Sequence, residues 1–208
     1  MSGSVRIGIW HPGHTGQFRG KDTWNCIKSF RIDDACYLLI YNSSGQFYMV
    51  QSLLFVCMGN ICRSPTAEGV FRKLVSDAGR DSEFEIDSAG TIGYHAGDRA
   101  DRRMRAAAEG RGYRLDSIAR RITSADFDRF DLIVTMDDAN FRDVSSMNPG
   151  STAEIVRMCD YCQEHLETEV PDPYYGGDAG FQTVIDILED ACANLLLQSH
   201  ERKLPLDS

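Results

Sequence analysis

The run Leu53-Leu54-Phe55-Val56-Cys57-Met58-Gly59-Asn60-Ile61-Cys62-Arg63-Ser64-Pro65 contains a strand, a loop and the start of a helix. Four consecutive apolar residues, Leu53 to Val56, have the pattern of a buried strand. Pro65 suits the first position of a helix, where a missing N–H costs nothing. Beyond it Ala67, Val70, Phe71, Leu74, Val75 and Ala78 recur at helical spacing, and Gly79 supplies a C-terminal stop. Cys57 is thereby set at the carboxyl end of the strand. The loop's backbone N–H groups gather at the helix N-terminus, which is a ready anion site. The same field favours a thiolate. A thiolate nucleophile, a cradle of N–H donors and the forked guanidinium of Arg63 describe a site that hydrolyses phosphate monoesters. A Cys and an Arg at this separation occur often by chance, and buried cysteines mostly act as small apolar residues. The strand before the pair and the Ser-Pro helix start after it separate this instance from coincidence.

Outward from that run the elements alternate. Strands are expected at 53–57, 84–88, 132–136 and 154–158, and helices at 66–78, 100–109 (stopped by Gly110) and 138–144. In the closing helix Phe181, Val184, Ile185, Leu188, Ala191, Cys192, Leu195 and Leu196 form one continuous apolar stripe. Alternation with short connections implies an α/β fold, a parallel sheet with helices on both faces. Residues 1–48 differ: they are rich in Gly, Trp, His and Ser and have no helical period. A hairpin at 35–50 is expected there, with Ala35–Tyr41 and Gln46–Val50 flanking the turn Asn42-Ser43-Ser44-Gly45. The expected organisation is an extension over 1–48, a domain over 49–200 and a tail over 201–208.

The chain has 208 residues and a net charge of −9, which argues against nucleic acid or an anionic membrane as partner. No apolar run approaches a bilayer-spanning length, and the N-terminus lacks the apolar centre of a secretory signal. Seven cysteines without framework spacing suit a reducing, cytoplasmic setting.

Cys57-Met58-Gly59-Asn60-Ile61-Cys62-Arg63-Ser64-Pro65 resembles the signature loop of the low-molecular-weight protein tyrosine phosphatases. The resemblance continues through Asp87-Ser88-Ala89-Gly90-Thr91, Gly93-Tyr94 and Gly97, then Ala119-Arg120-Arg121-Ile122-Thr123, the run from Phe130 to Asp137, Asn140, and Asp172-Pro173-Tyr174-Tyr175. It spans about Met49 to about Leu197 and does not reach residues 1–48. It implies a four-stranded parallel sheet of flavodoxin-like (phosphotyrosine phosphatase I-like) order, with the site at the strands' carboxyl ends. It also implies a phosphocysteine intermediate, no cofactor and no metal. The implied partners are phosphotyrosine-bearing proteins or small aryl phosphates, with inorganic phosphate and other oxyanions as competitive ligands.

Within this scheme Cys57 attacks phosphorus, and Arg63 forks onto the equatorial oxygens. Ser64 has two readings, a helix cap and a hydrogen bond to the Cys57 sulfur. Gly59 lets the backbone approach an anion, and Asn60 tolerates a left-handed conformation. The resemblance implies that Ser88 helps hold Asn60, and that Ser117 stands where the family commonly has a supporting His. Asp-Pro alone is usually a turn; the resemblance makes Asp172 the general acid, and then the base that activates water. Tyr94, Tyr174 and Tyr175 are expected as aromatic walls, with Met58 and Ile61 at the floor edge. Cys62 reads either as a packed residue or as a thiol that captures oxidised Cys57. Cys159 and Cys162 form a C-x2-C pair read as structural, since zinc needs further ligands. Asp137 and Asp138 are expected to cap the helix that follows.

Two rivals remain. An arsenate reductase of this fold needs a relay cysteine pair on a mobile segment, and no cysteine lies between Cys62 and Cys159. A weakly catalytic phosphate-binding module is opposed by the intact Cys57, Arg63 and Asp172.

Overall fold

The computed structural model describes residues 28–32, 35–39, 52–174 and 177–198. Its first elements are β1 (Lys28–Ile32) and β2 (Ala35–Leu39), an antiparallel pair with Ile32 opposite Ala35. The expected strand after Ala35 therefore forms, but it pairs with the segment before it. The two strands lie two residues apart in the chain. The anticipated second arm, 46–50, lies outside the described residues. β2 runs beside the closing helix.

Four parallel strands follow: β3 (Ser52–Cys57), β4 (Glu85–Gly90), β5 (Leu132–Thr135) and β6 (Glu154–Arg157), in the order β4-β3-β5-β6. This is the expected flavodoxin-like sheet. β3 is buried along its whole length because both faces are covered. Leu53, Phe55 and Cys57 point into one core, shared with α1 (Arg63–Asp77), α2 (Arg102–Glu109) and α5 (Asp178–Gln198). Leu54 and Val56 point into the other, with Phe127 of α3 (Asp126–Arg129), Ile133 and Val144 of α4 (Asp138–Met147). The continuous apolar run in the sequence is thus two alternating faces that happen both to be dry. Every residue of the predicted α5 stripe is buried.

Two local expectations are corrected. α1 begins at Arg63, so Pro65 occupies its third position rather than its first. The missing N–H is still harmless there, because the first four N–H groups of a helix have no intrahelical partner. Ser64 consequently lies inside the helix and does not cap it; Cys62 is the N-cap residue and makes no side-chain cap bond. Other boundaries move by one to a few residues. β6, for example, ends at Arg157, and Met158–Tyr161 form a short 3-10 turn.

The crossover from β3 into α1 brings Cys57 to the carboxyl edge of the sheet at a central strand. Gly79, at φ +68°, ends α1 as expected. Asp137 caps α4 by accepting from the Asn140 N–H at 2.6 Å. Among the described residues no helix is long and apolar enough to cross a membrane.

Candidate active site

Cys57 ends β3 with only 3% of its surface exposed. The loop from Met58 to Cys62 turns around its sulfur. The Asn60 N–H donates to Cys57 Sγ at 3.3 Å, and Ser64 Oγ lies 3.0 Å from the same sulfur. Ser64, freed from capping, instead faces this sulfur. A hydroxyl there can donate to a thiolate both before attack and when the thiolate leaves.

Asn60 sets the loop's shape. Its φ of +56° is left-handed, a strained region for a side-chain-bearing residue that Asn tolerates better than most. Three groups hold it there. Asn60 Nδ2 donates to Ser64 Oγ and to Ser88 Oγ, each at 2.9 Å, and Asn60 Oδ1 accepts from the Arg120 N–H at 2.9 Å. Ser88 Oγ donates onward to Glu68 Oε2 at 2.7 Å. Ser117, half-buried, lies in a separate cavity of ≈ 370 Å³ behind the loop, which Glu68 and Arg72 also line. The main chain at Arg120 supplies the remaining support for Asn60 Oδ1.

Arg63 is almost fully buried. Its Nη1 donates to Asp137 Oδ2 at 2.6 Å and to the Val170 carbonyl at 3.2 Å, and its Nη2 to Asp172 Oδ2 at 3.1 Å. Burial opposes its charge, but Cys57, Asp137 and Asp172 hold the guanidinium above its ordinary value. It therefore stays a cation. Asp137 thus has a second task beyond capping α4, since it fixes the plane of the fork.

Asp172 meets Cys57 across a cavity of ≈ 370 Å³, whose walls include Met58, Ile61, Ile92, Tyr94, His95 and Tyr174. Its Oδ1 accepts from the Tyr174 N–H at 3.0 Å, an Asx turn that sets the carboxyl's direction. Tyr94 is 84% exposed and Tyr174 37%, so the aromatic walls stand at the mouth. Tyr175 lies outside the described residues. His95 is a wall residue that the sequence did not single out; its ring meets Tyr94 edge-on at 4.9 Å. A Cβ on Gly59 would lie 3.2 Å from the His95 Cδ2, so Gly at 59 lets this ring close over the loop.

Cys62 is buried near Cys57, and burial together with Asp101, Cys57 and Asp172 pushes its thiol up to about 12. The Asp101 N–H donates to the Ile61 carbonyl at 2.8 Å, tying the start of α2 to the loop. Arg103 of α2 in turn donates to the Tyr174 carbonyl at 3.1 Å, and its guanidinium lies over the Tyr174 and Phe181 rings at 5.5 and 5.0 Å. The segment carrying Asp172 is thereby propped from α2 and α5. Among the described residues no group of three or more His, Cys, Asp or Glu side chains is arranged to hold a metal ion.

A family model described as low molecular weight phosphotyrosine protein phosphatase matches residues 52–205. The chain belongs to this family. A Synechocystis relative is 51% identical over 146 residues, covering 69% of this chain and 93% of its own. The human low molecular weight phosphotyrosine protein phosphatase is 40% identical over 153 residues, 72% of this chain and 96% of its own. The crystal structure of a protein tyrosine phosphatase from Entamoeba histolytica, with Hepes in the active site, superposes with a TM-score of 0.69. It is 50% identical and covers 70% of this chain and 94% of its own. Cys57, Arg63 and Asp172 all line the same cavity. The residues that sequence reasoning missed, Glu68, Arg120, Asp137 (as the partner of Arg63) and His95, act through contacts with distant segments.

Proposed function

We propose that the chain is a protein tyrosine phosphatase that hydrolyses phosphotyrosine and other aryl phosphate monoesters through a phosphocysteine intermediate. The observation that carries this reading is the set of contacts on one sulfur: Cys57 Sγ, hydrogen-bonded by Asn60 N–H and by Ser64, with Arg63 and Asp172 on the same cavity.

In the first step Cys57 Sγ attacks phosphorus in line with the leaving oxygen. Arg63 and the loop N–H groups take the equatorial oxygens as charge spreads. Asp172 donates a proton to the departing phenolate. In the second step Asp172, now a carboxylate, takes a proton from water, which attacks the phosphocysteine and releases Cys57 as a thiolate facing Ser64. Peroxide is expected to inactivate the enzyme reversibly, with Cys62 capturing oxidised Cys57 as a disulfide.

One structural relative, 29% identical, is named a Drosophila arginine phosphatase. The walls of Ile61, Ile92 and Met58 are apolar, and Met58 and Ile92 are exposed at the mouth. They suit a flat aryl ring better than a charged guanidino group. The test is turnover of a phosphotyrosine peptide set beside a phosphoarginine peptide and beside arsenate-dependent thiol oxidation. The proposal expects phosphotyrosine to be preferred and a phosphocysteine to be trapped by rapid quench. Preference for phosphoarginine, or thiol oxidation by arsenate without phosphate release, would overturn it.

A further inference from the structure

Most arginines among the described residues are paired with carboxylates. Arg72 meets Glu68, Arg120 meets Asp87 and Asp126, Arg129 meets Glu85, and Arg157 meets Asp138. Arg121 differs, although the chain carries a net charge of −9. Among the described residues its side chain makes a single hydrogen bond, from Nε to the Thr91 carbonyl at 3.2 Å. A guanidinium has five N–H donors. The four on the terminal nitrogens of Arg121 therefore have no partner among the described residues.

The residue is exposed, yet it is held at both ends. Its main chain bridges Gly90, and the Ile122 N–H donates to the Gly90 carbonyl at 2.9 Å. Its stem passes beside Gly93, where an added Cβ would lie 3.7 Å from Arg121 Cδ. Between Thr91 and Gly93 stands Ile92, a wall of the cavity that holds Cys57, 42% exposed at the mouth. Arg121 is thus set just outside that wall, and it does not line the cavity itself. Asp98, on the same wall loop, is turned toward His95 Nδ1 at 3.4 Å. An exposed arginine is ordinarily a solvated charge. One pinned through Nε at a cavity rim, with its fork unpaired, is pre-organised for a bidentate acceptor.

We propose, resting on the phosphatase reading above, that Arg121 determines which phosphotyrosine segments the protein prefers. It takes the side-chain carboxylate of an Asp or Glu near the phosphotyrosine, so acidic segments are favoured. A small aryl phosphate fills the cavity and stops there. A peptide must run out across the rim, advancing about 3.3 Å per residue, which brings positions within about three residues of the phosphotyrosine to Arg121. This contact lies away from phosphorus and is the same before and during the reaction. It therefore lowers KM and leaves kcat alone. The acidic body repels such a segment at long range, so the preference rests on the short contact and weakens with salt.

The test measures phosphate release from p-nitrophenyl phosphate and from three peptides of one sequence. Each peptide carries one phosphotyrosine, flanked on both sides by Glu, by Gln or by Lys. The proteins are full-length wild type, Arg121→Gln, Arg121→Glu and Arg129→Gln. The last makes the same charge change beside Glu85, at the opposite end of β4 from the cavity. In the wild type, kcat/KM for the Glu peptide should exceed that for the Gln peptide by about threefold or more, through KM. Arg121→Gln should bring the two peptides level, Arg121→Glu should favour the Lys peptide, and Arg129→Gln should match the wild type. All four proteins should turn over p-nitrophenyl phosphate alike. A wild type indifferent to the flanking charge, or an Arg121→Glu protein that still prefers Glu, would overturn this inference and leave the phosphatase reading standing. Failure to release phosphate from any of the four substrates would overturn both.

Discussion

Arg63 divides one guanidinium among Asp137, the Val170 carbonyl and Asp172. A lysine would keep the charge and lose the fork, so Arg63→Lys should lower kcat/KM for an aryl phosphate by roughly 10²–10³-fold. Steady-state kinetics on the variant checks this. Cys57→Ser should abolish turnover while phosphate still binds, since Arg63 and the loop N–H groups remain; equilibrium binding of phosphate beside an activity assay separates the two effects. Asp172→Ala should slow tyrosine phosphate by about 10²–10⁴-fold. It should slow p-nitrophenyl phosphate far less, because nitrophenolate leaves without a proton. Equal losses on both substrates would remove Asp172 from the acid role. The proposed nucleophile and its proposed guanidinium partner are legible in the sequence because they sit in one short run that also contains its strand and helix. Asp137 is legible only as a cap. Its contact with Arg63 joins residues 74 apart in the chain, and no local pattern encodes that.

At the scale of elements, the strands and helices follow from apolar spacing, because each buries a face against a neighbour. What the spacing leaves out is how loops close. The 35–39 strand takes a partner from upstream; its apolar pattern says that it pairs, not with which segment. The close contact of β4 with the catalytic loop is equally silent in the sequence. A Cβ on Gly90 would lie 2.7 Å from the Met58 carbonyl and 3.2 Å from the Gly59 carbonyl carbon. Gly90→Ala should therefore cost about 1–3 kcal/mol and depress kcat, measured by denaturant unfolding and by kinetics. Arg120 joins β4 to α3 by pairing with both Asp87 and Asp126. Burial opposes the charge of Asp126, but Arg120 and Thr123 hold its carboxyl below the ordinary 3.8. A depressed carboxylate stabilises the fold above its unfolded value, and that stabilisation is lost as pH falls through the lower folded value. Asp126→Asn should thus destabilise the protein by about 2–4 kcal/mol at pH 7. The gap from wild type should shrink below pH 4 as the wild-type Asp126 takes up a proton and loses its paired charge; unfolding curves across that range check it.

For the molecule as a whole, every residue proposed to act on substrate lies between Cys57 and Tyr175, and the family match covers 52–205. We expect a protein starting at Met49 to keep the kcat and KM of the full chain for p-nitrophenyl phosphate. A two-stranded hairpin stabilises little by itself, so the contact of β2 with α5 should move Tm only slightly. A raised KM in the shortened protein would assign the extension a part in the cavity.

The supports of the two catalytic halves also arise at different times. Ser64, Ser88 and Arg120, which shape the loop around Cys57, are all made in the first three-fifths of the chain. Asp172 comes later, and Phe181, which shares Arg103 with the acid's neighbour Tyr174, belongs to the last helix. Domains are synthesised from the N-terminus at about 5–20 residues per second. On the ribosome, the partners that shape the loop around Cys57 exist seconds before those that steady the segment carrying Asp172, so the cavity is complete only once the final helix has been made.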